Sequence, residues 1–240
     1  YAKPSSADTI KEIREYNPDQ IILLPLYPQF SVINSGSVME DFIARIKIWS
    51  SNVKKKVVVK KISCYPSEVN LIRSHSFLMQ KAIASYGGQL DNLIFLFVAP
   101  GIPVRFTEQG ELYRSHVTIT TEAVVKYLAQ ILEVDQEQVN YQICYQFKLG
   151  ILEFMRPNIE QKIKRVALKG KIPVVISIAA TSDSMETKFD LDIKYRNLSR
   201  KFGLKDYILV PALNQDGNFI KSLFEICKEA NSSDEFLTLL

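Results

Sequence analysis

Two short stretches hold most of the side chains able to do chemistry. The first, TSDSMETKFDLD, follows the buried run VVISIAA and sets Asp183, Glu186, Asp190 and Asp192 just past a strand end. Carboxylates gathered there can accept protons or hold a cation. Acids at a helix start also simply answer the helix dipole, and the pattern supports both readings equally. The second stretch is LPLYPQFSVINSGSV. It offers an aromatic wall in Tyr27 and Phe30. Ahead of a helix it adds the hydroxyls of Ser31, Ser35 and Ser37, the amide of Asn34 and the backbone of Gly36. Such a loop can cradle a carboxylate, and the same composition makes an ordinary N-cap. A third stretch, LFVAPGIP, has the right position and the wrong chemistry. Parallel α/β proteins present reactive groups where a buried strand ends in a turn, yet this turn offers Pro100 and Gly101.

Other chemistries find no support. No P-loop, GxGxxG, HExxH or GxSxG occurs. The two histidines, His75 and His116, fall in helix-like segments, which argues against a histidine metal site or a Ser-His-Asp triad. Cys64, Cys144 and Cys227 lie far apart in apolar settings and read as small buried side chains.

The elements that must position these residues alternate regularly. Helix-like SADTIKEIREY precedes the apolar run QIILLPLY, which reads as a central parallel strand. Amphipathic SVMEDFIARIKIW leads to KKKVVVKKISCY, read as a peripheral strand whose lysines discourage edge pairing. The series continues with a long helix, SEVNLIRSHSFLMQKAIASY, the strand DNLIFLFVA and the helix SHVTITTEAVVKYLAQILE. Strand NYQICYQF, helix NIEQKIKRVALKG, strand KIPVVISIAA, helix LDIKYRNLSRKFG, strand KDYILVPAL and helix NFIKSLFEICKEA close it. This is βα repetition and predicts parallel sheets with helices outside. With 240 residues, 47% of them hydrophobic and 23% charged, the chain can fill one large α/β domain or two lobes. Its runs IILLPLY and LIFLFVA are too short to span a bilayer, so membrane association is expected to be peripheral at most. A net charge of +4 makes no case for nucleic acid.

Five stretches in order resemble the ferrochelatase family, enzymes that insert ferrous iron into protoporphyrin. LPLYPQFSVINSGS resembles the family's LPLYPQFSxxTTGSS, and APGIPVRFTEQGELY resembles SAHGLPxxxxxxGDPY. YQFKLGILEFMRP resembles YQSRVGPxxWLxP, SDSMETKFDLDIKY resembles SEHIETLxEIDIEY, and VPALNQDGNFI resembles VPxLNxxxxFI. The resemblance implies an α/β, chelatase-like fold of two Rossmann-like lobes, with parallel sheets flanked by helices. On it, residues 1–90 are the remainder of a first lobe, 91–213 a second lobe, and 214–240 a C-terminal helix packing back on the first. YAKP resembles a segment well inside family members, so the first lobe is expected to be incomplete.

The departures fall where the family keeps its chemistry. The histidine of SAHG aligns with Pro100, which has no titratable group. The histidine of SEHIET aligns with Ser184, while Glu186 keeps the partner acid and Asp183 a preceding one. Lys148 replaces an arginine and Phe154 a tryptophan. On the resemblance, Tyr27, Phe30, Ser31, Ser35, Ser37, Tyr65, Lys148 and Phe154 are the candidate porphyrin contacts. Glu186 is the residue that would meet the metal if the reaction runs; no resident metal, cofactor or iron–sulfur cluster is expected. Three functions follow. The first is a ferrochelatase-like chain that has lost iron insertion and serves other protein subunits as a structural or accessory part. The alternatives are a divergent active ferrochelatase and a porphyrin carrier. The resemblance is nearest to alphaproteobacterial, Rickettsiales-like or mitochondrial members, so the mitochondrion is the expected location and a bacterial cytoplasm the alternative.

Overall fold

The computed structural model describes residues 3–53, 56–107, 112–146, 154–233 and 237–239. The chain forms two compact units, residues 1–65 with 223–240, and residues 66–222.

In the first unit, α1 (Ser6–Tyr16) opens on a capping box in which Ser5 and Asp8 bond each other's backbone. It leads to β1 (Gln20–Leu23), a π-helical turn over Val32–Gly36, α2 (Ser37–Val53) and β2 (Val57–Lys61). The β1–β2 pair is parallel, with Ile21 opposite Val59. Ile10, Ile46, Trp49, Val57 and Val59 form the core that joins helices to sheet.

The second unit runs α3 (Val69–Tyr86), β3 (Leu93–Pro100), the short α4 (Val104–Thr107), α5 (Tyr113–Leu132) and β4 (Tyr141–Gln146). It continues through α6 (Ile159–Leu168), β5 (Ile172–Ser177), a π-helix over Glu186–Lys194, α7 (Tyr195–Lys201) and β6 (Ile208–Leu209). Helix α8 (Gly217–Ser232) starts in this unit and ends in the first, where β7 (Leu237–Leu239) pairs antiparallel with β2.

The four strands of the second unit are all parallel, in the order β4-β3-β5-β6. Every residue of β3 but Pro100 is buried, as a strand covered by helices on both faces requires. Ile94, Leu96 and Val98 face a core with Ile159, Ile163, Leu191 and Tyr195. This strand order turns back between β3 and β5. In open parallel sheets, sites form at such a reversal, outside the carboxyl ends of the strands.

Three expectations change. The strand KKKVVVKKI is not peripheral, because β2 lies between β1 and β7. Its Lys60 is buried, and Nζ donates to the carbonyls of Asn231 and Ser233 at 2.7 Å each, closing the C-terminus of α8. The run QIILLPLY supplies a strand at the sheet's edge rather than its centre. The compact units divide at Tyr65 and Pro66 rather than at residue 90, since α3 packs on α5.

Candidate active site

The turn at Pro100 has a backbone reason. The N–H groups of Phe95 and Gly101 both point to the β4 side, bonding Asn140 just before that strand and Gln146 at its end. Donors alternate sides along a strand, so residue 100 would donate toward β5. Pairing with β5 ends at Val98 opposite Ser177, with Ile178 N–H still bonding the Val98 carbonyl. A proline therefore costs no ladder bond here. Gly101 N–H bonds the Gln146 carbonyl at 2.7 Å, and a Cβ on Gly101 would stand 2.6 Å from that oxygen. Only glycine lets the two chains approach so closely.

Past the end of β5 lies the acid-rich stretch 183–192, which runs into the π-helix. Of its four acids, three are paired with cations. Asp183 takes Lys188 at 3.0 Å and the Asn214 amide at 3.1 Å, Asp190 takes Lys194 at 3.7 Å, and Asp192 takes Arg196 at 2.7 Å. Of the two readings left open for this cluster, most of it is ion-paired at a helix start. Among the described residues, no group of three or more histidine, cysteine or acidic side chains is arranged to hold a metal ion.

Glu186 differs. It is half-buried, and among the described residues it pairs with no cation. Its four-residue neighbour is another acid, Asp190. Burial lifts the Glu186 carboxyl above its ordinary value, and the Asp190 charge adds to the lift. Such a carboxylate is a better base than an exposed one. Gln146, at the end of β4, approaches it with Nε2 at 3.5 Å from Oε2, a long contact. Gln146 is 3% exposed, and its Oε1 has no partner.

The loop before Glu186 is fixed from a distance. Asn214, in a left-handed conformation with φ 48°, accepts from Asp183 N–H at 2.9 Å. Its own N–H bonds the Thr181 carbonyl at 2.8 Å. Ser184 N–H bonds Thr187 Oγ1 at 2.8 Å, so this residue closes a local turn. Phe154 forms an antiparallel bridge with Pro103, past the β3 exit. Lys148 lies outside the described residues.

The remaining candidates belong to the first unit. Tyr27 is 48% exposed and lines a largely apolar cavity of about 450 Å³ with Asn34, Ser35, Val38 and Phe42. Ser35 Oγ accepts the Ser31 N–H at 3.3 Å and so closes the π-helical turn. Phe30 packs against Gly36, where a Cβ would meet its ring at 3.3 Å. Ser31 is buried with its hydroxyl unpartnered, and the exposed Ser37 donates to Ile33 and Asn34 carbonyls. Tyr65 is buried, and its hydroxyl donates to the Pro25 carbonyl at 2.9 Å. That bond holds the loop in shape and takes up the proton a ligand contact would use.

The family model for ferrochelatase matches residues 1–231. The chain belongs to the ferrochelatase family. It is 35% identical over 239 residues to the ferrochelatase of Rickettsia bellii, covering 99% of this chain and 62% of that protein. With the ferrochelatase of Caulobacter vibrioides it shares 30% over 230 residues, 96% of this chain and 62% of the relative. The chain thus spans about three-fifths of these relatives' length. Among solved structures, SirB from Bacillus subtilis with Fe3+ superposes with a TM-score of 0.63 at 10% identity, over 96% of this chain and 79% of that one. The same fold in the cobalt complex of the sirohydrochlorin chelatase SirB gives 0.59 at 9% identity, over 96% and 77%. In this ferrochelatase-family chain the sequence offers Glu186 and Asp183 as candidates and does not show that Gln146 and Asn214 contact them. The ion pairs Asp190–Lys194 and Asp192–Arg196 were legible as four-residue spacings. The contacts of Gln146 and Asn214 join distant segments, so no local spacing shows them, although both residues fall in the motif matches.

Proposed function

We propose that this ferrochelatase-family chain binds a porphyrin at the ends of β3, β4 and β5 and inserts a divalent metal ion slowly, with Glu186 taking the pyrrole protons. The observation that carries this reading is the sorting of the acids. Asp183, Asp190 and Asp192 are held by cations, while Glu186 is half-buried, has no cation partner among the described residues and is raised in pKa at the sheet's reversal point. Each insertion removes two protons from ring nitrogens as the metal ion binds them. The Glu186 carboxylate accepts a proton, becomes the neutral acid and passes the proton to water. The reaction is slow because residue 100 is proline where the family resemblance places a histidine. A general base contributes about two to four orders of magnitude. Family membership and the relatives named ferrochelatase support this reading. The cited relatives are bacterial, which favours a bacterial cytoplasm over a mitochondrion.

Pro100 and Ser184 favour a second reading, in which insertion is lost and the chain serves as an accessory part to other proteins. Zinc or ferrous iron insertion into a soluble porphyrin, followed by the visible band shift, separates the two. The first reading expects slow insertion, its loss in Glu186→Gln and a gain of tenfold or more in Pro100→His. Insertion at background in both the wild type and Pro100→His would leave the accessory reading. A Soret shift with no insertion in either would make the chain a porphyrin carrier.

A further inference from the structure

We infer that the outer edge of β4 pairs with the same edge of a second copy of this chain, joining two sheets about a two-fold axis at Gln142. Strand β4 ends the sheet of the second unit, in the order β4-β3-β5-β6. All its residues pair with β3 on one side. The register decides which groups face the other side. Phe95 and Gly101 N–H bond the Asn140 and Gln146 carbonyls, so the even-numbered residues of β4 turn their backbone groups to β3. Backbone direction alternates along a strand, and Tyr141, Ile143 and Tyr145 turn theirs outward. Tyr145 is covered: its N–H bonds the Pro157 carbonyl at 2.8 Å, and it bridges Asn158. Among the described residues, no hydrogen bond reaches the outward backbone groups of Tyr141 or Ile143. Sheet edges are ordinarily blunted by lysine, proline, a bulge or brevity. The opposite edge of this sheet follows that rule. Strand β6 is two residues long, and the Tyr207 carbonyl beside it takes Arg196 Nη1 at 2.6 Å. Strand β4 reads YQICYQ, with no charge and no proline to repel a partner.

The open stretch is complementary to itself. With the strands antiparallel and each Gln142 opposite the other, Tyr141 stands against the partner's Ile143, and Ile143 against the partner's Tyr141. Each of these pairs exchanges N–H and carbonyl, so the seam closes every outward group that the single chain leaves open. The same pairs set an aromatic ring against a β-branched side chain, a favoured cross-strand match. At the axis the two Gln142 amides can each donate to the other. The helix beside the edge matches as well. Ile119, Glu122, Ala123 and Lys126 of α5 line a cleft of about 390 Å³ with Gln136 and Tyr141. Glu122 and Lys126 are exposed, and among the described residues neither is in an ion pair, although they stand four residues apart. A two-fold axis at Gln142 reverses the partner's α5, which turns Glu122 of one copy toward Lys126 of the other. Opposite charges thus flank the seam, and that complementarity selects a second copy over an unrelated strand.

The test is sedimentation equilibrium of the whole chain over a wide concentration range, with amide exchange read at its two ends. A monomer–dimer equilibrium is expected, with exchange at Tyr141 and Ile143 slowed in the dimer. Ile143→Pro removes an outward N–H without touching the bonds to β3 and should abolish the dimer. Glu122→Lys or Lys126→Glu alone should weaken dimerisation about threefold to tenfold, and the two together should restore it. Both charge variants sit on an exposed helix face, so they carry the test should the proline variant not fold. Circular dichroism of each variant establishes that it is folded. A chain that stays monomeric at every concentration overturns the inference. So does a dimer that ignores the charge reversals and leaves exchange at Tyr141 and Ile143 unchanged, since it then forms through another face. Neither result bears on the Glu186 site, because no measurement here uses porphyrin or metal.

Discussion

His75 makes a sharp prediction about acid stability. It lies in α3 at 2% exposure, and its Nε2 has no hydrogen-bond partner. Burial pushes its pKa down from 6.5 to about 4, while the charge of Asp216, held by Ser74 at 2.6 Å, pulls the other way. The unfolded chain therefore binds this proton near pH 6.5 and the folded chain only near 4. Stability is fully present above pH 7 and falls as pH drops through that window. The two values give about 2 kcal/mol lost at pH 5 and about 3 kcal/mol below pH 4. The perturbation is His75→Leu, which fills the site without a titrating group. Urea unfolding of both proteins from pH 8 to pH 4.5 gives stability against pH, and their difference cancels the other groups. The wild type should lose about 2 kcal/mol more than the variant by pH 5. Equal slopes in the two proteins would refute the reasoning, as would a His75 ring proton titrating near 6.5 in the folded state.

Other perturbations test other links. Gly101→Ala must displace the Gln146 carbonyl and should cost about 1–3 kcal/mol in urea unfolding. Gly217→Ala, where an added Cβ meets nothing within 4 Å, should cost nothing or stabilise by about 0.5 kcal/mol. Lys60→Met strips two bonds from the end of α8 and should cost about 1–3 kcal/mol, with faster amide exchange over residues 229–239 as the local readout. Unchanged exchange there would show that the lysine does not hold that end.

Much of the fold was legible because the signals are local. Buried apolar runs and helical spacing marked the strands and most helices of the second unit. The site was legible only in part. The candidate acids could be named from their place after β5, and two of the three ion pairs follow from four-residue spacing. The pair Asp183–Lys188 and the grip of Asn214 were hidden, since one depends on a local turn and the other on a residue 31 positions away.

The sequence by itself determined the family, the strand ends and the absence of an imidazole at residue 100, because these are properties of ordered motifs and side-chain identity. Tertiary structure decided which carboxylate is left without a cation among the described residues, and that the Tyr65 hydroxyl donates to the Pro25 carbonyl. It also decided that Lys60 closes a helix instead of guarding an edge. Those outcomes depend on partners brought from elsewhere in the chain. An ionised or hydrogen-bonding group is defined by what surrounds it once water is removed.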